Sequence, residues 1–254
     1  MPERSARADS FGRSAREYEL GRPEWPAELI DRVIERLGLG PRATALDLGA
    51  GTGKLTRALV PRFAHVYAVE PDDAMRAVLE EVVPGAEARS GHAEEIPLGP
   101  EAVDAVFSGE AFHWFATPGT VAELERVLAP GGGVALFWNI PLDDREPRLS
   151  DEAEALIADA FERGGAPGLR RVLSGEWREP FAGSRFGALR EEAVERVIVA
   201  DRETWIANLL SISSIAGLPD DERVVFAARM RELCPAGEYR GRFRTVAHWA
   251  RLGR

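Results

Sequence analysis

From Thr44 to Asn139, short β-branched or apolar runs alternate with stretches whose apolar positions recur every three or four residues. That change of period is the signature of βαβ units, in which helices cover a mostly parallel sheet. The runs at 45–49, 65–70, 86–90, 103–107 and 134–138 predict five strands. A helix is predicted over 54–63, with Leu55, Ala58 and Leu59 on one face. Pro71-Asp72-Asp73 opens a second, with an Asp cap and an acidic first turn, running through Met75, Val78 and Leu79. Thr117-Pro118 supplies a cap and a proline at the first helical position for a third. This helix is expected to end at Leu128, before Pro130-Gly131-Gly132-Gly133 turns the chain into strand five.

Beyond Asn139 the pattern changes. Ser150-Asp151-Glu152 begins an amphipathic helix to Arg163, and a Gly/Pro/Arg-rich loop is expected to about Gly187. Residues 192–200 read as a strand, and Asp201 to Thr204 resembles a capping box opening a helix through Ile212. A helix over 219–233 and a closing strand over 242–252 complete an expected seven-stranded, open α/β sheet with helices on both faces. The 254 residues are expected to form a single domain: 1–40 an N-terminal segment and first helix, 41–140 the ligand-binding core, 141–254 an elaboration with closing strands and no core of its own.

Composition narrows the partners. A formal charge of -10 offers no basic surface on which nucleic acid or anionic lipid would release counterions, so a small-molecule partner is expected. Lys54 is the single lysine; every other basic side chain apart from histidine is arginine. One cysteine, Cys234, cannot pair within the chain, no Cys/His cluster has metal-ligand spacing, and no metal is expected. The opening 17 residues lack the apolar stretch of a signal peptide, and no apolar run nears the roughly 20 residues that span a bilayer. The expected compartment is the cytoplasm, and oligomeric state is open.

Asp47-Leu-Gly49-Ala50-Gly51-Thr-Gly53 sits between a strand and a helix, where glycines let a ligand approach the backbone and helix N–H groups bind polar atoms. Its Gly-x-Gly-x-Gly spacing lacks the extra residue of a dinucleotide fingerprint. A triphosphate loop is excluded as well, because Leu48 and Leu55 stand where glycine and Ser/Thr would be needed before and after Gly53-Lys54. Glu70 ends strand two, 17 residues beyond Gly53, where a carboxylate can accept two hydrogen bonds from a ribose diol. The plain alternatives are a tight turn and a solvated strand end.

With these residues the chain resembles the class I S-adenosylmethionine-dependent methyltransferases, in particular the small-molecule branch that includes trans-aconitate methyltransferase. The similarity runs from about Phe11 to Asn139. It rests on Leu46 to Gly53, Val69-Glu70-Pro71 with Met75, Gly91-His92-Ala93-Glu94, Ala111-Phe112-His113-Trp114-Phe115 and Glu125 to Gly132. The resemblance implies a Rossmann-like sheet and S-adenosyl-L-methionine as cofactor, with S-adenosyl-L-homocysteine as product. It implies that the glycine loop, Ala50 included, cradles the methionine moiety and Asp47 holds its amino group. It further implies that Glu70 binds the ribose, Pro71 and Met75 flank the adenine, Ala93 and Glu94 meet its edge, and Ser108 and Gly109 line the same site. By the same resemblance the stretch from Phe11 to Trp25, within the N-terminal segment 1–40, carries a helix that folds over the cofactor as a lid, with Arg22 at the methionine carboxylate and Tyr18 closing the pocket; the plain alternative is a surface helix with packing aromatics. His92 departs from the acidic residue common in the family, which leaves the adenine edge to Glu94 or to backbone groups.

Methyl transfer from a sulfonium is an in-line displacement, so positioning matters more than an obligatory catalytic group. His113 follows strand four on the carboxyl edge, where open α/β sheets bind ligands, and could act as a base or simply form a pocket wall with Trp114 and Phe115. Trp138 and Asn139 end strand five on that edge, and Trp205 and Leu209 share a helical stripe. These residues suggest an apolar acceptor pocket, the alternative for Trp205 and Leu209 being core packing. The expected acceptor is a small molecule bearing a carboxylate, hydroxyl or amine. Two rival readings use the same cofactor features: a nicotinamide-dependent dehydrogenase and an inactive S-adenosylmethionine-binding sensor or partner subunit. The first lacks a Tyr-x-x-x-Lys pair, since Ala50 precedes Lys54 by four. A nucleic-acid methyltransferase is disfavoured by Ser108-Gly-Glu-Ala-Phe-His-Trp114 after strand four.

Overall fold

A computed structural model describes residues 15–142, 144–165 and 168–253. Phe11, where the N-terminal resemblance begins, lies outside the described residues. The chain separates into two compact units, one comprising 1–23, 141–168 and 195–244, the other 24–140, 169–194 and 245–254.

The elements of the second unit follow from the periodicity. Helix α2 (Ala27–Leu37) turns Leu29, Ile30, Val33 and Leu37 inward, and strand β1 (Thr44–Leu48) is buried over its last four residues. Helix α3 (Lys54–Leu59) is shorter than expected. Pro61 has no N–H for an α-helical bond, and the chain tightens into a 3₁₀ turn at Val60–Arg62. Strand β2 (His65–Val69) pairs with β1 in parallel, Asp47 opposite Ala68 and Leu48 opposite Val69. Helix α4 (Asp73–Val82) follows, then β3 (Glu87–Arg89), β4 (Val103–Gly109) and α5 (Pro118–Val127). Strand β5 (Leu128–Pro141) begins six residues earlier than predicted. Leu128 pairs with Val103 and Gly133 with Ala105, so the glycines lie inside an irregular strand, where a turn was expected.

Sheet order is β3-β2-β1-β4-β5-β7-β6, with β6 at Arg190–Asp201 and β7 at Glu238–Arg251. The first five strands pair in parallel, and the sheet is the seven-stranded, mostly parallel, Rossmann-like one expected. Both faces are dry: Leu46, Leu48, Val106 and Leu136 join one buried cluster, Ala45, Phe107, Ala135 and Phe137 the other. The Gly/Pro/Arg-rich segment expected as a loop carries helix α7 (Gly168–Ser174) and a 3₁₀ turn at Glu176–Phe181, because Trp177 and Phe181 find buried partners that local composition does not announce.

The first unit holds α1 (Ala15–Gly21), α6 (Asp151–Gly164), α8 (Arg202–Leu210), α9 (Ser213–Ala216) and α10 (Asp220–Leu233). Helix α8 stops at Leu210, short of the expected Ile212, and α9 restarts the helix at Ser213. Contrary to the expectation that the elaboration lacks a core, Ile157, Ile206, Leu210, Ile215, Phe226 and Met230 form a buried cluster wholly within this unit.

Candidate functional site

The carboxyl ends of β1, β2 and β4 converge on the glycine loop. Gly49, Gly51 and Gly53 all have positive φ, at 71°, 58° and 89°, a region costly for side-chain-bearing residues. The loop is fastened to β2, since the Gly49 and Ala50 N–H groups both donate to the Val69 carbonyl at 2.9 and 3.1 Å. Glu70 completes the fastening from the next residue. Its Oε2 accepts from the Gly51 N–H at 2.8 Å and its Oε1 from the Asp72 N–H at 3.0 Å. One carboxylate thus sets both the loop and the start of α4, where Asp72 caps the helix by accepting from the Met75 N–H. Met75 is buried, and Pro71 lies between Glu70 and that cap.

Asp47 is fully buried. Its Oδ2 accepts from the Thr56 hydroxyl at 2.7 Å, while Oδ1 has no hydrogen-bond partner among the described residues. Burial pushes its pKa from 3.8 up to about 7, the Thr56 hydrogen bond opposes this, and the charge of Glu70 adds to the rise. Burial also raises Glu70, against the pull of the Asp72 and Gly51 N–H donors. Two desolvated carboxylates with an unsatisfied oxygen suit a ligand that brings an ammonium and hydroxyl donors. The donor set therefore fits the amino group and ribose of S-adenosylmethionine. Ser108 ties β4 to β1 by donating to the Leu48 carbonyl at 2.8 Å, with Gly109 next in the strand. Ala93 is buried, while Glu94 is exposed and accepts from the Thr117 hydroxyl at 3.0 Å.

Lys54 begins α3, the end of a helix that disfavours a cation. It is nonetheless largely buried, and its Nζ lies 2.7 Å from Glu24 Oε1, which Arg57 also reaches at 3.1 Å.

Along the same edge, β4 and β5 position a second group. His113 is buried, and the Trp138 indole N–H donates to its Nδ1 at 3.0 Å. An indole can only donate, so Nδ1 carries the lone pair and the neutral ring keeps its proton on Nε2. Trp138 is 1% exposed and lies tilted against Trp177 at 4.5 Å between ring centres, and Trp114 lies under the Arg171 guanidinium at 5.5 Å. The Asn139 N–H donates to Glu110 Oε1 at 2.7 Å, and the Asn139 side chain accepts from the Thr245 hydroxyl. Glu110, which sequence reasoning missed, has a φ of 54°. A left-handed non-glycine residue costs roughly 1–3 kcal/mol and persists where its surroundings over-determine it. Here the Phe137 carbonyl accepts its N–H at 2.9 Å while Asn139 holds its carboxylate. No local signal in Ser108-Gly109-Glu110-Ala111 marks that conformation.

The remaining predicted site residues belong to the first unit. Arg22 lies 5.2 Å over the Tyr18 ring and donates to the Ser211 carbonyl at 3.2 Å. Trp205 stacks on Tyr239 at 4.7 Å, and Leu209 is buried in that unit's apolar cluster.

The pattern of the methyltransferase domain family matches residues 46–136, which spans the loop, Glu70 and His113 and ends before Trp138. An uncharacterized methyltransferase-like protein of Schizosaccharomyces pombe is 33% identical over 227 residues, 88% of this chain and 85% of its own length. An uncharacterized methyltransferase of Mycobacterium bovis is 42% identical over 165 residues, 64% of this chain and 63% of its own. A solved structure from Anaeromyxobacter dehalogenans, provisionally described as a type II methyltransferase, shares the fold with a TM-score of 0.64 at 24% identity, over 92% of this chain and 99% of that one. With its glycine loop, paired carboxylates and a relative aligned over nearly its whole length, the chain belongs to the class I S-adenosylmethionine-dependent methyltransferases.

Proposed function

We propose that the protein transfers a methyl group from S-adenosylmethionine to a small molecule bearing a carboxylate, hydroxyl or amine. The observation that carries the cofactor assignment is the buried Asp47 carboxylate, whose Oδ1 has no partner among the described residues, beside a loop fastened by Glu70. Asp47 would hold the amino group, Glu70 the ribose, and Pro71, Met75, Ala93 and Glu94 the adenine. Ser108 and Gly109 would line the methionine side, Arg22 is assigned to its carboxylate and Tyr18 to closing the pocket. Bound there, the cofactor supplies an electrophilic methyl on a sulfonium. The protein's part is to align the acceptor and keep water out.

The net charge of -10 favours a small acceptor over nucleic acid or a lipid surface, and no helix among the described residues is long and apolar enough to cross a membrane. The lone, buried Cys234 suits the reducing cytoplasm. Resemblance to the trans-aconitate branch makes small carboxylic acids the first acceptors to test.

His113, Trp114, Trp138 and Asn139 are the acceptor-side residues of this reading, with Trp205 and Leu209 assigned to the same role. Because Trp138 occupies the His113 lone pair, His113 serves as a hydrogen-bond donor through Nε2 and not as a base. Replacing it with Asn keeps an acceptor for Trp138 and is expected to raise the acceptor KM about tenfold, the worth of one hydrogen bond. The pH profile of turnover should keep its form. Loss in the variant of a rise through an apparent pKa near 6–7, with turnover down by 10²-fold or more, would return the base role to His113.

The reading as a whole is tested by calorimetry with S-adenosylhomocysteine and NAD, followed by labelled methyl transfer to carboxylic acids, phenols and amines. Binding of S-adenosylhomocysteine alone is expected. Tight NAD binding without a response to S-adenosylhomocysteine would favour the dehydrogenase, and cofactor binding without transfer to any acceptor would favour a sensor.

A further inference from the structure

A cleft of about 300 Å³ opens on the second unit between α2, the segment before β6 and the end of β7. It is lined by Arg36, Gly187, Ala188, Arg190, Trp249 and Arg251. Half of its residues are arginine and none is acidic, in a chain where 42 carboxylates outnumber 32 Lys and Arg side chains. The three guanidinium groups differ in whether a carboxylate reaches them. Arg36 has one, Glu192, 2.8 Å from its Nε. Arg190 and Arg251 have none within 4 Å among the described residues. Arg190 lies 5.4 Å over the Trp249 ring, and Arg251 spends one N–H on the Arg36 carbonyl at 3.2 Å. The remaining donors of these two side chains have no protein acceptor among the described residues.

Trp249 adds an independent sign. It is 6% exposed, and its indole N–H is buried without a hydrogen-bond partner among the described residues. A buried unpaired donor is costly, and an indole has no alternative to donating. Two arginines without a carboxylate partner and an indole with an unpaired N–H, among the described residues, therefore line one cleft.

We propose that this cleft binds a small oxyanion of the phosphate type, free or carried on a metabolite. Planar guanidinium forks match such oxygens in pairs, and the ligand neutralises like charges that otherwise repel one another. Gly187 and Ala188 keep the cleft wall small, leaving the volume to the ligand. The site is separate from the glycine loop. Arg36 closes α2 just before β1, while the loop leaves the other end of that strand, whose five residues span roughly 16 Å. It also does not depend on the cofactor assignment.

The test titrates the full chain with sodium pyrophosphate in low-salt buffer by calorimetry, alongside S-adenosylhomocysteine. One saturable site is expected, weakening with added salt. Arg190→Gln with Arg251→Gln should reduce affinity at least about tenfold, and Trp249→Phe, which keeps the ring and loses the N–H, about threefold to tenfold. S-adenosylhomocysteine affinity should be the same in all three proteins, which also shows that the variants are folded. No saturable heat below ~10 mM pyrophosphate, or equal affinity in the double arginine variant, overturns the proposal. Titration with phosphatidylglycerol vesicles separates the sources: binding of vesicles but not of pyrophosphate would replace the small-anion site with a lipid-headgroup surface and reject it.

Discussion

Asp47→Asn is expected to stabilise the ligand-free protein above pH 7 while weakening its cofactor binding. Burial holds the Asp47 pKa near 7 in the folded protein, against 3.8 for the ordinary carboxyl. Between those values the unfolded chain releases a proton that the folded chain keeps. The stability of the native protein is therefore undiminished by this group below about pH 4, falls as pH rises towards 7, and has lost the full amount above 7, at most about 4 kcal/mol. Asn cannot ionise, and its carbonyl oxygen still accepts from the Thr56 hydroxyl. Scanning calorimetry from pH 5 to 8.5 should thus show the native melting temperature falling relative to that of the variant. Cofactor affinity moves in the opposite direction. An ammonium beside Asp47 favours the ionised carboxylate, so native binding should tighten from pH 6 to pH 8, and the variant should lose about 2 kcal/mol or more of affinity at pH 8. A variant less stable than the native protein at pH 8, with equal affinity for S-adenosylhomocysteine, would show that Asp47 is only a structural partner of Thr56.

Glu70→Ala is the second large effect. The substitution removes the proposed ribose contacts and also strips the Gly51 and Asp72 N–H groups of their acceptor, at 2.8 and 3.0 Å. Charge-assisted hydrogen bonds are worth about 1.5–3 kcal/mol each, and the two consequences act together, so S-adenosylhomocysteine affinity should fall about 100-fold. Glu70→Gln should not rescue it, because an amide offers one acceptor oxygen where the carboxylate serves donors on both sides. Calorimetric titration decides the matter, with circular dichroism to confirm the fold. Unchanged affinity in a folded Glu70→Ala protein would remove Glu70 from the cofactor site.

Much of this fold was legible because its punctuation is local. Asp72, Thr117, Ser150 and Asp201 each cap a helix by accepting from an N–H three residues on, a contact that four consecutive residues decide. The end of α3 at Leu59 was equally local, and attention to Pro61 would have found it. Features decided across the chain were hidden. The left-handed Glu110 depends on Phe137 and Asn139, and the tautomer of His113 depends on Trp138, 25 residues away. The 3₁₀ turn at Glu176–Phe181 exists because Trp177 packs against Trp138 and Phe112, contacts that no period in a Gly/Pro/Arg-rich segment encodes. For the site, the acidic residue just after β2 and the glycine spacing were readable, but the energetic strain on Asp47 was not. It arises from burial under neighbours supplied by other elements.

The solitary lysine has a practical corollary. Lys54 holds the one side-chain amine in the sequence, and it sits at the first turn after the glycine loop, masked by its bond to Glu24. An acylating reagent therefore finds no competing side-chain amine, and modification at position 54 can proceed only when that turn opens. The rate of a single chemical event, read by mass spectrometry, becomes a clock for local breathing of the loop.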